Sequence, residues 1–368
     1  MKKRIGILTF WNVPNYGTFL QAYALQKYVG AMFSDSDVRQ IAYLDKIHYR
    51  TYYSINNKKY RFSIFNPRLY LNIFFRLINY KKIKSLKEFL CYYTQYIPST
   101  KPLTKKDLHL VYFDYIILGS DIIWDFSIPF FNNDPHLFGN GLNCANIISY
   151  AASFGTVKAK DICPEYVLNG LNNLSAIAVR DENSKYLVKN YIQKNARIVC
   201  DPTFLWDFMN DNNVPVINEN NYIVVYGSSF EPELIKGCIN YAKQNNLAVI
   251  SLNSLDDNFD WCDKNIQQDS LTPFQWLAYF KQADVVFTCT YHGLLFGLIF
   301  NKKVVFSPTD FIIDKASSLI DYLELNDVLI NLSSFSQKVN WDWNYLQINK
   351  KIDSLRKCSI DFLWRCLT

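Results

Sequence analysis

Ala283-Asp-Val-Val-Phe-Thr-Cys-Thr-Tyr-His-Gly293 carries a short β-branched run, Val285 to Thr288, into a turn at Tyr291-His292-Gly293. An apolar helix is expected over Leu294–Phe300 and a second strand over Val304–Phe306, which makes half of a βαβ unit. Ligands of open parallel sheets bind outside the carboxyl ends of the strands. A helix N-terminus in that place turns unpaired amides and the positive end of its dipole toward an anion. There His292 can hydrogen-bond a phosphate or deliver a proton near neutral pH, or it can merely cap the helix.

The same alternation extends in both directions. Arg4–Phe10 reads as a strand and Thr18–Val29 as a helix with apolar positions at Leu20, Tyr23, Ala24 and Tyr28. Further strands are expected at Asp114–Leu118, Asn146–Tyr150, Ala176–Val179 and Ile198–Cys200, with a helix from about Asp181. A second series opens at Tyr222–Tyr226. It continues through helix Pro232–Gln244, strand Ala248–Leu252 and helix Pro273–Gln282 to the His292 unit. The polar stretch Asn210-Asp-Asn-Asn-Val-Pro-Val-Ile-Asn-Glu-Asn-Asn221 between them is the expected linker. The chain therefore reads as an N-terminal Rossmann-like domain over 1–209, a linker over 210–221 and a C-terminal Rossmann-like domain over 222–340. A terminal helix over 341–368 is expected to pack back on the first domain. Two doubly wound α/β domains facing a cleft are the expected architecture.

At 368 residues, 49% hydrophobic and 17% aromatic, the chain can build two ordinary cores, and its composition excludes disorder. The basic start Met1–Arg4 leads only into the short apolar run Ile5–Phe10. Asn12-Val-Pro-Asn-Tyr-Gly17 follows where a leader would have a small-residue cleavage site, so a cytoplasmic protein is expected. Nine scattered cysteines without a Cys-x-x-Cys pair fit reduced thiols. Cys289 and His292 alone cannot make a zinc site, and no metal is expected.

The net charge of +6 conceals an asymmetry. Between Lys46 and Lys106 there are 14 basic side chains against one acid, Glu88, a balance of +13 that leaves −7 for the rest. Aromatic and apolar residues interleave, as in Tyr60-Arg-Phe62, Phe74-Phe-Arg-Leu-Ile78 and Tyr80-Lys-Lys82. A solvated insertion and peripheral contact with an anionic membrane both fit this pattern. Nucleic acid is not expected, since no nucleic-acid module is visible and the remainder is acidic.

Candidate chemistry falls at strand ends. Asn15, Tyr16 and Gly17 follow the first strand, and Gly119-Ser120-Asp121 follows another, with Trp124 three residues on. Ser149-Tyr-Ala-Ala-Ser153-Phe-Gly155 and Val179-Arg180-Asp181 follow two more. In a doubly wound fold such loops share one edge of the sheet. Each also has a plain structural reading: Gly17 as a tight turn, Asp121 as a helix cap, Arg180 in a surface ion pair with Asp181 or Glu182.

In order along the chain stand Ile7-Leu-Thr-Phe-Trp-Asn-Val-Pro-Asn-Tyr-Gly-Thr-Phe-Leu-Gln21, Leu118-Gly-Ser-Asp-Ile-Ile-Trp-Asp125 and Ser149–Gly155. Val179-Arg-Asp181, Asp201-Pro-Thr-Phe-Leu205, Thr288–Phe300 and Leu355–Leu363 complete the series. With these motifs the chain resembles the polysaccharide pyruvyl transferase family over nearly its whole length; the segment 46–106 does not align. It departs at Cys289 and Thr290, where many members carry serine followed by arginine or serine.

The resemblance implies a glycosyltransferase-B-like fold and transfer of a pyruvyl group from phosphoenolpyruvate to a sugar as a cyclic ketal. The product would be a cell-surface polysaccharide such as a capsule or exopolysaccharide. Phosphoenolpyruvate would be donor substrate, with no cofactor, and the acceptor a sugar or lipid-linked oligosaccharide. Protonation of the donor's methylene carbon creates an oxocarbenium-like centre that two sugar hydroxyls attack in turn as phosphate leaves by carbon–oxygen cleavage. In that chemistry His292 and Asp121 are the expected acid and base, and Arg180, His292 and Gly293 the donor-binding residues. Asn15, Tyr16, Gly17, Ser120, Trp124 and Ser153 are expected at the acceptor or along the cleft. Two alternatives share the sequence pattern: a sugar-nucleotide glycosyltransferase of the same fold, and a non-catalytic polysaccharide-assembly protein.

Overall fold

The computed structural model describes residues 2–43, 80–128, 134–252, 259–267 and 270–368. The chain divides into two compact units, Met1–Ile177 and Ala178–Thr368. Both are α/β bodies built on all-parallel strand pairing, the pair of Rossmann-like halves that a glycosyltransferase-B-like fold comprises.

In the first unit, β1 (Arg4–Leu8), α1 (Tyr16–Met32) and β2 (Asp37–Gln40) form the opening βαβ turn. Helix α2 (Tyr80–Tyr96), β3 (Phe113–Leu118), β4 (Cys144–Ser149) and α3 (Glu165–Asn173) follow. The strand order is β2-β1-β3-β4. Because the chain leaves β1 toward β2 and resumes on the other side at β3, the topological switch point lies between β1 and β3, where ligands of such sheets bind. Helix α1 is buried from Tyr16 through Gln26 on almost every side. The sheet covers one side of it, and Phe89 and Tyr93 of α2 pack on Phe19 from another, with the Phe19 and Tyr93 rings 5.1 Å apart and edge to face.

That packing decides part of the basic segment. Phe89, Tyr93 and Ile97 are core residues, and Thr100 and Leu103 hydrogen-bond the chain just beyond β2. Residues 46–79, which include Phe74, Phe75, Leu77 and Ile78, lie outside the described residues.

The second unit opens with the short pair β5 (Ala178–Val179) and β6 (Arg197–Ile198), joined by α4 (Glu182–Ile192). Then come β7 (Tyr222–Tyr226), α5 (Pro232–Gln244), β8 (Ala248–Ser251), β9 (Lys264–Asn265), α6 (Pro273–Gln282) and β10 (Val285–Thr288). Helix α7 (Tyr291–Ile299), β11 (Lys303–Phe306), α8 (Asp310–Leu323), α9 (Phe335–Asn340) and α10 (Tyr345–Leu367) complete it. The sheet order is β11-β10-β7-β8-β9, so its switch point lies between β7 and β10. Leu234 and Cys238 of α5 and Phe335 and Val339 of α9 bury one face against Ile223, Val225, Phe287 and Val305. Helix α7 closes on β10 and β11 because Gly297 has no side chain; a Cβ there would stand 2.6 Å from Val304.

Some boundaries differ from the sequence reading. The stretch 210–221 lies inside the second compact unit, whose limit is at Ala178. The reason is that residues 197–208 are held by the second unit's own helices. Ser359 of α10 accepts from the Cys200 amide at 2.8 Å, Arg356 donates to the Leu205 carbonyl at 3.0 Å, and Phe208 packs on Phe296 of α7. The terminal helix does pack on residues below 210, but these belong to its own unit. Helix α7 begins at Tyr291, so the expected turn at 291–293 is instead its first turn.

Candidate active site

At the switch point of the first unit, the ends of β1, β3 and β4 are joined by polar groups. The Thr9 hydroxyl donates to the Ser120 carbonyl at 2.8 Å, and Gln21 donates to Thr9 Oγ1 at 3.3 Å. The Ser120 hydroxyl donates to Gln21 Oε1. Asp121 accepts from the Ile122 amide at 2.9 Å and, more distantly, from the Thr18 hydroxyl at 3.5 Å. Its backbone carbonyl accepts from the Ser153 amide at 2.9 Å, which ties the β3 and β4 loops together.

Three non-glycine residues here have left-handed backbones: Asn12 (φ 70°), Asp121 (φ 75°) and Ala151 (φ 52°), one beyond each of the three strands. Such conformations each cost on the order of 1–3 kcal/mol and concentrate where a site needs them. Asparagine tolerates this region and a β-branched residue does not. Asp121→Asn is therefore expected to keep the stability within about 1 kcal/mol, whereas Asp121→Val should lose about 1–3 kcal/mol, read from denaturation midpoints.

Several residues expected at the acceptor or along the cleft are buried. Trp124 is fully buried, stacks on Phe138 at 5.9 Å and gives its indole N–H to the Leu137 carbonyl. Tyr16 and Ser120 are fully buried, and Ser153 is buried with its hydroxyl accepting the Gly155 amide at 3.0 Å. Gly17 lies within the buried first turn of α1, and Asn15 is exposed as the helix cap, accepting from the Thr18 amide at 3.1 Å. The aromatic and small residues of these motifs fill the space under the loops. Asp125, in the quoted motif but not singled out there, is a buried clamp. It accepts from the Thr156 amide at 2.8 Å and hydroxyl at 2.9 Å, and from Ser127. Gly155 (φ 56°) is required beside it, since a Cβ would stand 2.3 Å from its carboxylate.

In the second unit, Thr290 caps α7 by accepting from the Gly293 amide at 3.1 Å. This takes the Gly293 N–H away from any donor, and a Cβ on Gly293 would stand 2.2 Å from Thr288 Oγ1. Gly293 therefore permits close packing on β10. The departure at Cys289 and Thr290 has the same logic: Thr290 supplies the cap, and Cys289 is buried against Gly227. His292 is half-buried on the first turn of α7.

Tyr291 stands between Arg180 and His292. The Arg180 guanidinium lies 4.7 Å from the Tyr291 ring centroid, and the Tyr291 and His292 rings are 5.4 Å apart. Yet Arg180 does not pair with Asp181 or Glu182. It donates to Asp201 Oδ2 at 3.0 Å, with side-chain exposures of 2% and 0%. Asp201 is braced by Thr203, while Asp181 caps α4 by accepting from the Ser184 amide at 2.7 Å. The Arg180 guanidinium is thus held between Asp201 and the Tyr291 ring, at the start of α7. Asp201 and Tyr291 escaped the sequence reading; the Asp201-Pro-Thr motif was the signal for the first. Among the described residues no group of three His, Cys, Asp or Glu side chains could hold a metal.

Two α/β units with parallel sheets and polar groups at the strand ends of both switch points are the architecture of the glycosyltransferase-B-like class. The sequence profile of polysaccharide pyruvyl transferase matches residues 15–310, and the chain belongs to that family. No curated protein matches it closely. Among solved structures it is similar to the UDP-GlcNAc 2-epimerase of Methanocaldococcus jannaschii, at 12% identity and TM-score 0.43 over 96% of this chain and 92% of that one. The UDP-GlcNAc 2-epimerase of Neisseria meningitidis gives 12% and 0.45 over 99% and 100%. The heptosyltransferase WaaC of E. coli gives 11% and 0.38 over 84% and 89%.

Proposed function

We propose that this protein transfers the pyruvyl group of phosphoenolpyruvate to a sugar, forming a cyclic ketal during synthesis of a cell-surface polysaccharide. The observation that supports this most is His292, held on the first turn of the helix that leaves the switch-point strand β10, in a chain belonging to the pyruvyl transferase family. A histidine on that turn can meet a phosphate with its ring and with the helix dipole together, and can deliver a proton as the phosphate leaves. Arg180 acts behind it, through Tyr291. Asp121 meets the acceptor at the other switch point, where its strained backbone holds the carboxylate. The reaction needs no metal and no cofactor.

Incubation with phosphoenolpyruvate and a panel of free and lipid-linked sugars, followed by mass, tests this. Release of inorganic phosphate with a pyruvylated sugar is the expected result. Release of nucleotide from a sugar nucleotide, with phosphoenolpyruvate untouched, would support the glycosyltransferase reading instead.

The acceptor we propose is lipid-linked and met at an anionic membrane face from the cytoplasmic side. No helix among the described residues is long and apolar enough to cross a membrane, so attachment would be peripheral. The support is the +13 balance of residues 46–106, since a basic side chain near an anionic surface contributes about 1 kcal/mol. Flotation should show binding to anionic liposomes that weakens with salt and falls when Lys81, Lys82 and Lys84 are neutralised. Equal indifference to anionic and neutral liposomes would remove the membrane from the account.

A further inference from the structure

A cavity of about 260 Å³ lies within the second unit, at the carboxyl end of β11. Glu231, Ser307, Ser333 and Lys338 line it, among apolar side chains that include Leu234 and Phe306. Arg180, Tyr291 and His292 are not among its described lining residues. The Ser307 amide donates to the Thr288 carbonyl at 3.0 Å, so this wall continues the sheet edge from which α7 starts. Lys338 of α9 is 2% exposed. Its ammonium donates to the Val328 carbonyl at 3.0 Å and the Leu329 carbonyl at 2.8 Å. Both carbonyls belong to one turn of π-helix, Asp327–Asn331, a conformation that is rare and concentrates at functional places. An ammonium has three N–H donors, and among the described residues only these two carbonyls accept from it. Burial pushes the group down to about 8, with the charge of Glu231 acting in the opposite sense.

The other polar groups of the wall also have capacity to spare. Glu231 is the N-cap residue of α5, yet its carboxylate makes no capping hydrogen bond; only its amide is used, donating to Ser307 Oγ at 3.4 Å. The Ser333 hydroxyl makes no hydrogen bond among the described residues. Glu231 and Ser333 are exposed and Lys338 is buried, so the carboxylate and hydroxyl stand toward solvent and the lysine lies deeper. Glu231 and Lys338 feel each other's charge without forming an ion pair. That pattern selects among ligands. An anion would gain from Lys338 and lose against Glu231, and a cation would do the reverse. A neutral polyol suits both, because a hydroxyl oxygen accepts from the ammonium while a hydroxyl proton is donated to the carboxylate. Apolar walls such as Leu234 and Phe306 match the C–H faces of a sugar ring. Small-molecule pockets start near about 300 Å³, so the space takes one ring and little more.

We propose that this cavity binds one neutral sugar ring, with Glu231 and Lys338 holding its hydroxyls and Ser333 at its rim. The site is separate from the His292 turn and lies wholly within the second unit. It needs neither a donor nor a transfer step, so it stands independently of the pyruvyl-transfer reading.

Methyl-resolved NMR on the full chain tests this, because Ile313 and Ile330 line the cavity and their signals can be assigned by substitution. Glucose, galactose, mannose and N-acetylglucosamine are titrated one at a time, with inorganic phosphate and acetate as anionic probes. At least one of the sugars should shift both methyl signals saturably, and neither anion should. Glu231→Ala should weaken that binding by about 10–100-fold, the loss of one hydrogen bond to a charged group. Ser333→Leu should weaken it by filling the rim. Lys338→Met should act as Glu231→Ala does, and the two exposed positions decide the matter if that variant does not fold. No shift with any of the four sugars, or shifts with an anion in their place, would overturn the assignment. So would sugar binding that survives both Glu231→Ala and Ser333→Leu unchanged.

Discussion

His292→Ala is expected to lower turnover with phosphoenolpyruvate by about 10²–10⁴-fold, the loss typical of a removed acid or base. The expectation follows from place and chemistry together. The side chain stands half-buried on the first turn of α7, which follows β10 beside the switch point, and the donor must gain a proton and lose a phosphate. Because Thr290 caps α7 and Tyr291 packs under Arg180, the substitution leaves the helix start in place. The loss should therefore appear in kcat, with the melting temperature little changed. His292→Gln, which can still hydrogen-bond a phosphate but cannot deliver a proton near neutral pH, separates the two duties. It should recover donor binding and not turnover. Near-normal turnover in folded His292→Ala would remove this histidine from the mechanism.

Asp201→Ala should destabilise the second unit by about 3–5 kcal/mol, since it removes the carboxylate of a buried ion pair with Arg180. Replacement of both partners by apolar residues, Arg180→Met with Asp201→Leu, should regain most of that loss, because no buried charge is then left unpaired. The two positions also bear on activity. If Arg180 works by holding Tyr291 beneath the turn that carries His292, the apolar pair should fold well and turn over slowly, with the donor KM little raised. A well-folded pair with normal kcat and a donor KM raised tenfold or more would return Arg180 to direct donor binding. Denaturant unfolding and steady-state kinetics on the same preparations supply both measurements.

Why some of this was legible in the sequence and some not has physical causes. Buried parallel strands read as β-branched runs, so Val285–Thr288 and Tyr222–Tyr226 were visible with their bounds, as was the capped helix Pro273–Gln282. Strand β2 was missed because Asp-Val-Arg-Gln alternates on a sheet edge and has no apolar run. Strand-end position is legible for Asp121 and His292, but it says nothing of burial, and Trp124, Ser120 and Ser153, expected at the site by the same reasoning, are buried. Arg180 shows the same limit. Its charge was visible, while its partner Asp201 lies 21 residues on, and only the pairing of β5 with β6 brings them together. Gly293 looked like an open anion-binding amide until the Thr290 hydroxyl was seen to accept from it.

The central claim is that the pyruvyl carbons of phosphoenolpyruvate end on the sugar by carbon–oxygen cleavage. Phosphoenolpyruvate carrying ¹³C at its central carbon and ¹⁸O at the bridging position, supplied with an accepted sugar in deuterated water, tests it in one reaction. The account predicts a ketal carbon bearing the ¹³C on the sugar, a methyl group holding one deuterium, and ¹⁸O in the released phosphate. A phosphorylated sugar, or ¹⁸O kept with the carbon skeleton, would contradict it.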